Sequence, residues 1–211
     1  KTCVVMRPFW KREELNFVYV GQRGWTESAF VRFNGQDFEL PALLPELQYL
    51  SCPVLQNEEW RRAAHLIAIA PNLRGVHLGM LSSAEITKAF AESFEKTPQL
   101  KEVRFHLEDN DVNATRLLFD SLGKLSLTAV QFLAVWNINC VVGEQICAFL
   151  QTAECLEYVS IDFYDGKFSQ AFHRRLSSAP IASKSLHTLV LIFPLNCEDV
   201  DLVLSAIQNS S

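Results

Sequence analysis

In the stretch "PQLKEVRFHLEDN", Pro98 to Asn110, apolar Leu100, Val103, Phe105 and Leu107 are separated by polar or charged residues, and an asparagine stands three places after the last. The same pattern occurs six times: "LQYLSCPVLQN" from Leu47, "LRGVHLGMLSS" from Leu73, "LKEVRFHLEDN" from Leu100, "LTAVQFLAVWN" from Leu127, "LEYVSIDFYDG" from Leu156 and "LHTLVLIFPLN" from Leu186. The copies begin 26, 27, 27, 29 and 30 residues apart, and a period of this size is the signature of stacked repeats. Positions four, six and eight of each copy are apolar, from Leu50, Cys52 and Val54 to Leu189, Leu191 and Phe193, with Ala134 alone being small. Period-two alternation predicts a strand with one buried face. Position eleven is Asn57, Ser83, Asn110, Asn137, Gly166 and Asn196. An amide offers both a donor and an acceptor, so the four asparagines are expected to form a structural ladder satisfying backbone groups where strands end.

The second half of each period has helical spacing. Trp60, Ala63, Ala64 and Ile67 share one face, as do Ile86, Ala89, Phe90 and Phe94, and Ala114, Leu117, Leu118 and Leu122. Val142, Ile146, Phe149 and Leu150 make a fourth such face, Phe168, Ala171, Phe172 and Leu176 a fifth, and Val200, Val203, Leu204 and Ile207 a sixth. "SSAE" before Ile86 offers Ser82 or Ser83 as a helix cap. The unit is therefore strand, turn, helix, return. Residues 1–46 fit less well: "LNFVYVG" from Leu15 and "AFVRFNG" from Ala29 read as strands and "LPALLPE" from Leu40 as a turn, forming degenerate repeats or a cap ahead of the six units of residues 47–211.

A β-α unit of 26 to 30 residues opening with L-x-x-Φ-x-Φ and closing its strand with Asn resembles the leucine-rich repeat superfamily. The likeness is to the ribonuclease-inhibitor-like type and to F-box leucine-rich-repeat proteins. It covers about Leu47 to Ser211. Here Asn lies ten residues after the leading Leu, where the family's commonest pattern has eight, so the strand is longer by two. The resemblance implies an α/β fold: a right-handed β-α solenoid or horseshoe, with parallel strands on the concave face and helices on the convex face. A doubly wound sheet is the rival fold, but its strands are covered on both faces and read as continuous apolar runs. Lys101, Glu102, Arg104 and His106 punctuate one strand here, and Glu157, Ser160 and Asp162 another, so one face is expected to be wet. The glycine-rich phosphate-binding motifs of nucleotide enzymes do not occur in the chain.

The net charge of −5 and the shortness of the basic runs "WKRE" and "WRR" argue against a nucleic-acid or anionic-membrane surface. No window reaches eighteen uninterrupted apolar residues, so no membrane span is expected. The six cysteines lack C-x-x-C spacing and zinc-finger partners; buried thiols and a reducing compartment, cytoplasmic or nuclear, are expected. Asp109, Asp111, Asn113, Thr115 and Asp120 match the spacing of a calcium loop, but Ala114 holds the place where the sharp turn requires glycine. A helix cap is the preferred reading there, and neither metal nor cofactor is expected. Among the histidines, His77 and His106 fall on neighbouring strands of the wet face near Glu102 and Arg104, without the nucleophile or ligand triplet that catalysis would require.

Positions three, five and seven define the exposed columns. They run Tyr49, Gly75, Glu102, Ala129, Tyr158, Thr188; Ser51, His77, Arg104, Gln131, Ser160, Val190; and Pro53, Gly79, His106, Leu133, Asp162, Ile192. Tyr49, His77, Glu102, Arg104, His106, Gln131, Tyr158 and Asp162 are the expected partner-binding residues, with Arg104 and Tyr158 foremost because Tyr and Arg most often dominate interface energetics. The expected function is non-enzymatic protein recognition. By fold-level analogy, the resemblance implies substrate recognition in a eukaryotic ubiquitin ligase, with the adaptor-binding segment outside this chain. The alternatives are an extracellular or pathogen-derived repeat receptor, which glycosylation at Asn113 would favour, and an α/β enzyme with a small-molecule pocket.

Overall fold

The computed structural model describes residues 17–19, 30–33, 36–39, 47–52, 59–107, 111–135, 140–163 and 181–192. In chain order the elements are β1 (Phe17–Tyr19), β2 (Phe30–Phe33), β3 (Gln36–Glu39), β4 (Tyr49–Cys52), α1 (Glu59–Ile69), β5 (Gly75–Leu81) and α2 (Ala84–Phe94). They continue with β6 (Glu102–Leu107), α3 (Val112–Gly123), β7 (Ala129–Val135), α4 (Cys140–Leu150), β8 (Tyr158–Phe163) and β9 (Thr188–Ile192). The strands of the six copies stack in sequence order and β1 adds to their end, giving a seven-stranded sheet β1-β4-β5-β6-β7-β8-β9 in which every pairing is parallel. A parallel pair needs a crossover, and the helices supply it.

The sequence period reappears as a backbone period. The carbonyl of position two in each of five copies (Gln48, Arg74, Lys101, Thr128, Glu157) accepts from the N–H groups of positions two and three of the next copy. Arg74 and Gly75 donate to Gln48 at 2.7 and 3.1 Å, and Glu157 and Tyr158 to Thr128 at 2.8 and 3.0 Å. One carbonyl thus uses both of its lone pairs, which satisfies the strand entrance without a side chain. The leading leucines lie beneath this ladder, Leu73, Leu100 and Leu156 being fully buried.

Position four is 0 % exposed from Leu50 through Val76, Val103 and Val130 to Val159, each such side chain worth about 1.5–3 kcal/mol of burial. These residues and the apolar helix faces form one core. At its centre, Phe105 and Phe132 lie 5.1 Å apart, and Phe119 of α3 meets the Phe132 ring edge-on at 5.5 Å. Consecutive helices are tied by Thr97, whose hydroxyl donates to the Ile67 carbonyl at 2.8 Å, and by the exposed Arg61–Glu85 ion pair at 2.9 Å. Ser83 caps α2 through the Ile86 N–H, and Asp111 caps α3 by accepting from the Asn113 and Ala114 N–H groups at 3.0 Å each. Asp111 is therefore used as a cap, as its place before a helix predicts.

The structure corrects several details. Leu117, assigned to the inner face of α3, is 47 % exposed; Phe119 and Ser121 are buried on that helix instead. In β5 the pairing with β6 slips between His77 and Met80, so Met80 rather than Gly79 stands beside His106, and Leu81 takes the buried place expected of Met80. In β7 a matching slip sets Val135 opposite Phe163. An extra residue in one strand is a β-bulge, and both slips occur where the side chain near position eight is small, at Gly79 and Ala134. The N-terminal strands read at Leu15 and Ala29 are present as β1 and β2, but β2 pairs antiparallel with β3 as a separate two-stranded sheet. The proposed amides Asn57, Asn110, Asn137 and Asn196, and the fifth and sixth helical faces, lie outside the described residues.

Candidate functional site on the polar face of the sheet

The sheet register builds the site. Tyr49, Gly75, Glu102, Ala129, Tyr158 and Thr188 are successive Cα partners, and so are Ser51, His77, Arg104, Gln131, Ser160 and Val190. Two of the three columns read from the sequence are therefore rows of adjacent side chains. In the third, His106 pairs with Leu133 and Asp162 with Ile192. All eight sequence-assigned residues lie on this face, opposite the apolar core, and Phe17 and Tyr19 of β1 extend the register by one strand.

The face is less wet than its polarity suggests. Ser51 and Ser160 are 3 % and 2 % exposed, because small residues in the middle row sit below their larger neighbours. Glu102, Arg104, His106, Gln131, Tyr158 and Asp162 are half-buried. Burial pushes every group whose titration is displaced there towards its neutral form. The His77 ring is lowered to about 4 by burial, then by the nearby Arg104 charge and by His106. His106 is lowered by burial and Arg104, with Asp162 opposing. The Glu102 and Asp162 carboxyls are raised by burial, the His106 ring partly offsetting this for Asp162. The Tyr49 phenol is raised by burial and by Glu102, with Arg74 opposing. Arg104 is lowered by burial, with Tyr158 opposing.

Two features define what the face can do. Ser51 Oγ lies 3.2 Å from His77 Nδ1. The sequence placed these residues side by side without foreseeing the bond. A serine beside a histidine resembles a nucleophile and its base, but this hydroxyl is 3 % exposed and a ring titrating at about 4 is a weak base at neutral pH. The contact serves to satisfy a buried hydroxyl. The second is Arg104: among the described residues its buried Nε has no hydrogen-bond partner, and no ion pair includes it. No group of three or more His, Cys, Asp or Glu side chains among the described residues is placed to hold a metal ion.

Sequence reasoning missed Met80, 47 % exposed beside His106, because the bulge that turns it outward leaves the apolar spacing of β5 apparently intact. It also missed a groove of about 650 Å³ between α3 and α4, lined by Arg116, Phe119, Asp120, Lys124, Glu144 and Gln145 among others. There Gln145 Nε2 donates to the Val112 carbonyl at 3.1 Å, its buried Oε1 has no partner among the described residues, and Lys124 is engaged by Glu95. The groove's charges are mixed and partly paired, and helical periodicity alone does not show where two helices splay. No described helix is long and apolar enough to cross a membrane. No protein-family model matches the chain, and no characterised protein matches it in sequence.

Proposed function

We propose that the chain is a leucine-rich-repeat-like β-α solenoid acting as a non-enzymatic protein-recognition module, with its partner bound on the polar face of the sheet. The single observation that carries this reading is the in-register row Ser51–His77–Arg104–Gln131–Ser160 flanked by Tyr49, Glu102 and Tyr158. It gathers partly desolvated polar and aromatic groups on rigid strands. Groups held this way lose little freedom on binding, and perturbed titration concentrates at working surfaces. Parallel strands stacked in chain order, linked by the repeated double-acceptor carbonyl, support the solenoid. Substrate recognition for a ubiquitin ligase in the cytoplasm or nucleus is the specific role the family resemblance suggests, with residues 1–46 as the flank of the array.

The test is affinity capture from a eukaryotic lysate with the wild-type chain and with the double variant Arg104→Glu, Tyr158→Ala, both checked by circular dichroism. Proteins held by the wild type and lost from the folded variant are expected. Equal retention by both would refute recognition through this face. Adaptor subunits of a ubiquitin ligase recovered with full-length protein would support the specific role.

A further inference from the structure

We infer that the segment received on this face is acidic, docking a carboxylate against Arg104 with an apolar side chain seated towards β9. The inference rests on the protein-recognition reading and specifies its chemistry.

Arg104 is a half-buried cation of the face with no ion pair among the described residues. Glu102 lies two residues away on the same strand, and no ion pair joins it to the guanidinium among the described residues. Asp162 interacts with His106. The neighbours on either side of Arg104 in its row are His77, whose ring is neutral at pH 7, and the uncharged Gln131. The guanidinium Nε lacks an acceptor among the described residues. A half-buried cation with no ion-pair partner attracts an oxyanion, and the planar fork of arginine matches a carboxylate. Glu102 and Asp162 on the adjoining columns repel any anion, and they oppose the single charge of a carboxylate less than the double charge of a phosphate. Towards β9 the face turns apolar through Leu133, Val190 and Ile192, the last 42 % exposed. Three strand spacings separate Arg104 from Val190, about 14 Å, which an extended peptide covers in roughly four residues. The expected motif is Asp or Glu followed or preceded, about four residues away, by an apolar residue.

Selection from a random twelve-residue peptide library displayed on phage tests this with the intact chain. Enriched peptides are expected to carry that motif. The leading peptide, synthesised with a fluorophore, should bind Arg104→Gln at least tenfold more weakly and Arg61→Gln, altered on the helix side, unchanged. Selection on Arg104→Glu should replace the acidic position with Lys or Arg. Enriched peptides with no fixed acid that bind Arg104→Gln normally but fail on Tyr158→Ala would overturn the acidic specificity and leave recognition by this face standing. Peptides indifferent to both changes, or no enrichment at all, would overturn both.

Discussion

His77 shows how a single ring links the polar face to stability. Its ring titrates at about 4 in the folded chain, below the ordinary 6.5, because of burial and the nearby Arg104 charge. Between those values the unfolded chain binds a proton that the folded chain refuses, so stability is complete above about pH 6.5 and declines as pH falls towards 4. The loss is on the order of 1–2 kcal/mol after allowing for solvent around a half-buried ring. His106 acts in the same direction, while the raised Glu102 and Asp162 carboxyls act in the opposite one. The difference between wild type and His77→Gln isolates the ring: urea midpoints at pH 7 and pH 5 should lie closer together for the variant. Arg104 poses the complementary case. An orphaned buried donor costs roughly 1–3 kcal/mol, so Arg104→Met is expected to leave the urea midpoint unchanged or raise it by up to about 1 kcal/mol equivalent while abolishing partner binding. A midpoint lowered by more than that would mean the guanidinium is already satisfied in the folded chain.

At the scale of elements, caps and inner faces are separable. Asp111→Ala removes the acceptor of two α3 N–H groups and should cost about 1 kcal/mol in urea unfolding. Leu117→Ala, on the same helix but largely exposed, should cost less than about 0.5 kcal/mol. Phe132→Ala would empty the centre of the ring cluster made with Phe105, Phe119 and Phe149, at about 3–5 kcal/mol. Comparable losses for Leu117 and Phe132 would place the core elsewhere. The contrast also marks what was legible in the chain. Positions three to five of every copy were readable to the residue, because strand alternation and a fixed period leave one register that keeps Leu50, Val76, Val103, Val130 and Val159 inside. Position seven failed in β5, since a bulge changes which residue faces out without changing composition, and Gly79 was the only cue. β3 was missed although Asn34-Gly35, the pair that most strongly favours a two-residue hairpin connection, stands between it and β2. The burial of Ser51 and Ser160 was invisible because it depends on the size of neighbours along a row, which only the register brings together.

Across the whole molecule, each unit touches mainly the units before and after it, so stability should grade along the stack. β6 and β7 have strands on both sides, and Val103, Phe105 and Leu107 of β6 and Val130 and Phe132 of β7 are fully buried, whereas every residue of β9 retains some exposure. Hydrogen exchange followed by mass spectrometry should show the slowest amides in β6 and β7 and the fastest sheet amides in β9; uniform protection would indicate one globally cooperative body. The same stacking lines up Arg104 with side chains from five other copies, and this makes the face a surface that no single unit possesses. The most direct test is site-specific photocrosslinking, with benzoylphenylalanine replacing Gln131 at the centre of that face or Asp120 in the groove between α3 and α4. In lysate, adducts with a partner protein are expected from position 131 and not from position 120. Adducts from position 120 alone would contradict recognition by the sheet and transfer it to the helices.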